Sequence, residues 1–316
     1  MHPAKSVILF TTASGAGYGL LAWLGILAFL GLLPADRGLG LAGFGLGLGL
    51  VVTGLLASTF HLGHPERAWR ALSQWRSSWL SREGVAAVVT FLPVGVFALL
   101  WVVAGTNVGV AGIVGLLAGI GCLVTVICTA MIYASLKTIR AWTSLWTLPG
   151  YLLLSALSGA VLLNLLLQAW ALPLRDGFGW VVLFLVVLAA AVKLLYWRDI
   201  AAGQGGSTAE SATGLGNFGK VSLLEAPHSE ANYLMQEMGF KIARKHATKL
   251  RRMVLLAGFM VPFLLVALGQ AAPGLLSLLA AVLCLPLVGF GLAVERWLFF
   301  AEARHVVSLY YGESRA

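Results

Sequence analysis

Eight apolar runs of about 20 residues leave this chain few folds to choose from. A helix needs about 20 apolar residues to cross the hydrocarbon core of a bilayer. Backbone in lipid must satisfy its own N–H and C=O groups, which leaves helices and closed barrels. The runs lie at 7–33, 39–60, 84–104, 110–133, 149–171, 179–197, 253–272 and 275–299. Their length predicts an all-α integral membrane protein with eight transmembrane helices. The expected organisation is a single polytopic domain over residues 1–316, with one long loop at 198–252. Composition agrees: 10% of residues are charged and 59% hydrophobic, against about 25% charged in soluble proteins. The first run is too long for a signal-peptide core, so a retained helix is expected.

The connections are of two kinds. Those at 34–38, 105–107, 173–177 and 271–274 are tight, rich in Gly and Pro and poor in charge. The others are the 61–83 and 134–148 loops, the 198–252 loop and the tail after Phe300. An even number of spans puts both termini on the side of this second group. That side also holds 19 of the 21 lysines and arginines, leaving only Arg37 and Arg175 opposite. The positive-inside rule then places the termini and these loops in the cytoplasm. The net charge of +9 belongs to helix ends and loops, so it gives no reason to expect nucleic acid.

Gly15, Gly17 and Gly19 in the first run and Gly43, Gly45, Gly47, Gly49 and Gly54 in the second predict close helix packing. Cys122, Cys128 and Cys284 all fall within apolar runs and form no C-x-x-C pair. They are expected to be small buried hydrophobes rather than cluster ligands.

Residues 61–83 concentrate the chemistry. They hold His61, His64, Glu66, Glu83, four arginines and three tryptophans between two membrane-length runs. Ionisable groups that dense at a membrane are costly unless they are used. Gly63 and Pro65 end the second span, so His64 leaves the helix and His61 occupies its last turn at the hydrocarbon boundary. A short amphipathic helix is expected after Pro65, with Ala68, Leu72, Trp75 and Trp79 near one face. Ser81 is placed to cap the third span and Glu83 to sit in its first turn. Plainer accounts are available for each. Glu83 suits a helix dipole, His61 a capping or interfacial role, and the arginines lipid phosphates.

The same residues suit quinone chemistry. A quinone carries an apolar tail into lipid, and its carbonyl oxygens exchange protons as electrons move. It needs an apolar slot and a titratable group with access to water. Histidine titrates near neutral pH, and a nearby carboxylate can relay its proton. His61 and Glu83 lie on neighbouring helix ends across one short loop.

Several motifs carry a family resemblance. His61-Leu62-Gly63-x-Pro65 with Arg67-Ala68, followed by Leu80-Ser81-Arg82-Glu83, resembles the membrane anchor subunit of dimethyl sulfoxide reductase. So do Phe10-Thr11-Thr12-Ala13-Ser14-Gly15-x-Gly17, Tyr133 with Trp142-Thr143-Ser144-Leu145-Trp146-Thr147-x-Pro149-Gly150, and the pair Glu295-Arg296. The resemblance implies an eight-helix subunit without its own metal or haem. It implies one partner with four iron–sulfur clusters in a ferredoxin-like subunit. A second, catalytic partner would carry molybdopterin guanine dinucleotide. Of the matching positions, His61 and Glu83 would belong to the quinol site, which binds ubiquinone or menaquinone. Thr11, Ser14, His64, Arg67 and Tyr133 join them as candidate quinone contacts. His64 stands where that anchor has a smaller polar residue.

Orientation narrows the choice. Electrons must pass from a cluster to the quinone, so the site-bearing face is also the docking face. In dimethyl sulfoxide reductase that face is periplasmic, whereas here the basic residues put it in the cytoplasm. This better resembles the anchor of the cytoplasm-facing, quinone-linked sulfite dehydrogenase, as does segment 222–240. The expected role is therefore anchor and quinone-reactive subunit in sulfite oxidation coupled to quinone reduction. An alternative is the anchor of an S- or N-oxide reductase that oxidises menaquinol. A transporter, from a different class, would place charges and broken helices near the bilayer midplane. Here the spans hold few central charges, with Lys193 near an end, although Pro93, Pro262 and Pro286 could bend helices. A di-haem anchor would need four axial ligands, and the histidines lie outside the spans or at their edges.

Overall fold

The computed structural model describes residues 5–59, 64–202, 207–225, 245–272 and 274–313. Every regular element among them is a helix. Eight are long and apolar enough to cross a membrane: α1 Lys5–Phe29, α2 Arg37–Thr59, α3 Trp79–Val103, α4 Val110–Ala134, α5 Thr147–Ala169, α6 Arg175–Ala201, α7 Ala247–Ala271 and α8 Leu275–Ala301. Phe60 to Gly63, with His61 among them, and residues 226–244 of the long loop lie outside the described residues.

Two helix ends extend past the hydropathy signal because their polar residues find partners. α3 starts at Trp79, ahead of the expected 84. Arg82 in its first turn donates to the carbonyls of Trp75 (2.9 Å) and Arg76 (2.7 Å). α6 runs to Ala201, where Asp199 accepts from Arg140 (3.0 Å) and Ser144 (2.5 Å). The expected cap role of Ser81 is corrected by the early start. Ser78 flanks the helix, and the Ser81 hydroxyl donates instead to the Ala71 carbonyl. The expected amphipathic α-helix is a 3₁₀ helix, Pro65–Gln74, with no buried residue. Three residues per turn put Trp69, Leu72 and Trp75 on one edge, and Leu72 rests over Gly84 of α3.

α1 and α5 form the centre. Of their most apolar stretches 61% and 72% is buried, against 28% for α3 and 33% for α7. α1 packs on α2, α4 and α5, α3 on α4, and α8 on α5 and α7. Glycine permits the central contacts. A Cβ on Gly19 would lie 2.0 Å from the Ser155 carbonyl oxygen, and one on Gly159 2.2 Å from the Gly19 backbone. Gly17, Gly43, Gly47 and Gly54 likewise close the α1–α2 seam, whereas Gly15, Gly45 and Gly49 have open space. The expected glycine packing therefore holds for five of the eight positions named. The three cysteines are buried and unpaired. α7 widens into a π turn over Val254–Met260, which accommodates Pro262 where its ring would meet the carbonyl of Gly258.

The turns at one end are tied together. Asp36 accepts the Leu39 N–H (2.7 Å) and Trp170 Nε1–H (3.0 Å), and its carbonyl takes Trp101 Nε1–H (2.9 Å). Buried Asn107 donates to the carbonyls of Leu33 and Pro34, each at 3.1 Å. At the other end Trp142 donates to the Phe299 carbonyl (3.0 Å) and Arg251 pairs with Glu302 (2.8 Å). The second end bears the long connections and the candidate site.

Candidate functional site

A pocket opens between four helices in the half nearest the long connections; about 420 Å³ of space lies within it, open solvent included. Thr11, Ser14 and Tyr18 of α1, Thr129 of α4, Tyr151, Ser155 and Ser158 of α5, and Leu292 and Arg296 of α8 line it. The small hydroxyls are mostly engaged within their own helices. Thr11 donates to the Val7 carbonyl (2.9 Å), Ser14 to Phe10 (2.6 Å) and Ser158 to Leu154 (2.8 Å). Ser155 donates across the seam to the Gly15 carbonyl at 2.6 Å. That bond fixes α1 against α5 along the cavity wall.

Three lining residues keep a buried polar atom with no hydrogen-bond partner among the described residues: the Tyr18 hydroxyl, the Tyr151 hydroxyl and Arg296 Nη1. Each can donate. Buried donors are nearly always satisfied in native proteins, so three around one cavity suit a ligand rich in acceptors.

Glu83 stands directly behind the wall. Its side chain is 6% exposed, in the first turns of α3, and one carboxylate oxygen accepts the Thr129 hydroxyl. Thr129 reaches the cavity itself. The carboxylate is therefore one hydroxyl away from anything bound there. Thr90 and Thr125, 3.3 Å apart, continue the polar seam between α3 and α4.

Deeper toward α6 lies a buried ionic cluster. Glu295 of α8 is 1% exposed. One of its oxygens pairs with Lys193 of α6, and the other is 2.7 Å from Arg296 Nε. The Arg296 guanidinium lies over the Tyr151 ring at 3.9 Å, and the Lys193 ammonium over Tyr196 at 4.0 Å. A second pocket, enclosing about 290 Å³ with open solvent included, shares Tyr151, Leu154 and Arg296 with the first and reaches Lys193. Sequence reasoning placed Lys193 near a span end and missed this pairing. The signal was present in Glu295-Arg296, since a charged pair inside an apolar run needs buried partners.

The expected contacts separate into two groups. Thr11 and Ser14 line the cavity, and Glu83 reaches it through Thr129. Tyr133 does not line it but stacks on Tyr151 at 5.9 Å. His64 and Arg67 stand on the exposed 3₁₀ helix, 68% and 58% exposed, on either side of Glu66. They are not brought to the cavity. His61 lies outside the described residues. Among the described residues no three His, Cys, Asp or Glu side chains gather as metal ligands.

Comparison with known proteins places this sequence. A family model for the DMSO reductase anchor subunit (DmsC) matches residues 1–302. The protein is 34% identical over 330 aligned positions to one subunit of the sulfite dehydrogenase of Allochromatium vinosum, with 98% of this sequence and 99% of that one aligned. It is 30% identical over 157 positions to one component of the anaerobic dimethyl sulfoxide reductase of Escherichia coli K12, with 48% and 54% aligned. No solved structure matches. With a family match running from the first residue into the tail beyond α8, this eight-helix membrane protein belongs to the DMSO reductase anchor subunit family.

Proposed function

We propose that the protein is the quinone-reactive anchor of a three-subunit molybdopterin oxidoreductase, and that the cavity between α1, α4, α5 and α8 receives the quinone head group. One observation carries the reading. A buried carboxylate, Glu83, is hydrogen-bonded to a hydroxyl on the wall of a cavity ringed by unpartnered donors. Quinone carbonyls accept hydrogen bonds and take up protons only when electrons arrive. Two electrons from a reduced iron–sulfur partner and two protons from the aqueous face convert quinone to quinol. Glu83 and His61 are the groups that move those protons, Glu83 through the Thr129 hydroxyl. Thr11 and Ser14 shape the slot, and Tyr133 braces Tyr151. Ubiquinone and menaquinone both present the carbonyls this chemistry needs. His64 and Arg67 serve the surface, where the exposed Trp69, Trp75 and Leu145 offer docking area beside basic side chains. Two partners follow: a four-cluster ferredoxin-like subunit docked on the long connections, and a further subunit beyond it that holds molybdopterin guanine dinucleotide.

The favoured direction is sulfite oxidation with quinone reduction, on the cytoplasmic side of a bacterial inner membrane. Two facts support it. The likeness to a sulfite dehydrogenase subunit runs the length of both proteins, whereas that to a dimethyl sulfoxide reductase component extends over about half. Basic residues also crowd the site-bearing face. The test compares quinone-coupled with dye-coupled turnover in the same assembled complex. His61→Ala is expected to lower that ratio by about 10² to 10⁴, the range for loss of a positioned acid–base group. Glu83→Gln is expected to lower it less. A ratio unmoved in both variants would contradict the reading.

A further inference from the structure

The cluster beside the cavity does not balance its charge. Arg296 and Lys193 are two cations, and Glu295 is their shared anion. The neighbouring Arg251–Glu302 pair, at 2.8 Å, adds no net charge, although Glu302 Oε2 has no hydrogen-bond partner among the described residues. Counted apart from Glu83 behind the first cavity's wall, the cluster has one positive charge left over among nearly dry helices, where a buried charge is costly and marks function. Arg296 borders both cavities. Glu295 pairs with Lys193 through one oxygen; the other makes an ion-pair contact with Arg296 Nε at 2.7 Å that lacks hydrogen-bond geometry. Arg296 Nη1 has no partner among the described residues, and Arg296 lines the cavity. Tyr151, beneath the guanidinium, brings a second unpartnered donor to the same wall. A guanidinium stays protonated throughout, so it offers charge and donors but no proton.

We propose that Arg296 is the electrostatic half of the quinone site: it receives the carbonyl that Glu83 does not serve and steadies negative charge there until protons arrive. This rests on the quinone reading above. Glu295 and Lys193 position it, with Glu295 fixing the guanidinium through Nε and Lys193 keeping Glu295 from neutralising it fully. The division of labour is chemical. Proton exchange belongs to the α3 side of the cavity, and charge stabilisation belongs to α8. The electrons come from the iron–sulfur partner and both protons from the aqueous face, so Arg296 is unchanged by the cycle.

The experiment uses the assembled complex and the ratio of quinone-coupled to dye-coupled turnover. Arg296→Gln is expected to lower the ratio about 10²-fold, as for loss of one preorganised donor to developing negative charge. The loss should fall mainly on kcat rather than KM. Arg296→Lys keeps the charge and is expected to recover most of it. An unmoved ratio in Arg296→Gln, with His61→Ala or Glu83→Gln impaired, removes Arg296 and leaves the quinone reading standing. An unmoved ratio in all three removes both. A second measurement needs no variant and decides the matter if Arg296→Gln does not assemble. Complex grown on ¹⁵N-arginine is poised with its quinone half reduced and examined by pulsed electron paramagnetic resonance. Coupling of the quinone radical to an arginine nitrogen is expected, and coupling to no arginine nitrogen overturns the proposal.

Discussion

Glu83 occupies a costly place for a carboxylate, and among the described residues Thr129 is its side-chain hydrogen-bond partner. If the Thr129 hydroxyl also carries protons between Glu83 and the cavity, the two roles can be separated by substitution. Thr129→Val keeps the shape and removes the hydroxyl, and Thr129→Ser keeps the hydroxyl. Thr129→Val should lower quinone-coupled turnover, relative to dye-coupled turnover, by at least about tenfold, toward the lower range for loss of an acid–base group. Thr129→Ser should stay near the parent, and equal rates in the two variants would show that the hydroxyl carries no proton. Glu83 was legible in the sequence because it stands at the start of an apolar run, where a carboxylate is conspicuous. Thr129 was not, because threonines at i+4 spacing in an apolar helix, such as Thr125 and Thr129, read equally well as hydroxyls bonded to their own helix backbone. The Lys193–Glu295 pair was hidden for a different reason, since it joins α6 and α8 across a long stretch of sequence. His64 and Arg67 were singled out through proximity in sequence to His61, and they stand exposed beside Glu66 on the 3₁₀ helix.

At the scale of elements, the seam between α1 and α5 holds the cavity open at a fixed width. Backbone touches backbone at Gly19 and Gly159, and the Ser155–Gly15 bond lies alongside. A methyl group at Gly19 cannot be accommodated without parting the helices. Gly19→Ala should therefore destabilise the protein by about 1–3 kcal/mol, the usual cost of overpacking, seen as a lower unfolding midpoint in detergent. Gly45→Ala, at a position with nothing within 4 Å, should leave the midpoint where it is or raise it slightly. Equal effects at the two sites would contradict the packing described. Helix number and order could be read from hydropathy alone, since lipid imposes both. The start of α3 and the end of α6 could not, because Arg82 and Asp199 extend the helices through hydrogen bonds that hydropathy does not register. The stretch after Pro65 became a 3₁₀ helix rather than an α-helix, and its residues gain contact mainly through Leu72 over Gly84.

For the whole molecule, the two ends of the bundle differ in construction. One is closed by compact turns around Asp36 and Asn107, and the other carries the long connections, the basic residues and the cavity. The charge asymmetry predicts that a reporter fused after Ala316 works only as a cytoplasmic fusion. Activity of a periplasmic reporter there would reverse the orientation, and with it the preference for a cytoplasm-facing partner. The end that bears the cavity should then also bear the iron–sulfur subunit, so that electrons reach the quinone over a short path. All of this depends on the quinone head group lying between α1, α4, α5 and α8. The most direct test is photolabelling of the assembled complex with a ring-azido quinone, followed by peptide mapping. Label is expected on the segments spanning Thr11 to Tyr18 and Tyr151 to Ser158, and excess unlabelled quinone should abolish it. Competable label confined to the Asp36 end, or to the outer faces of α3 and α7, would contradict the account.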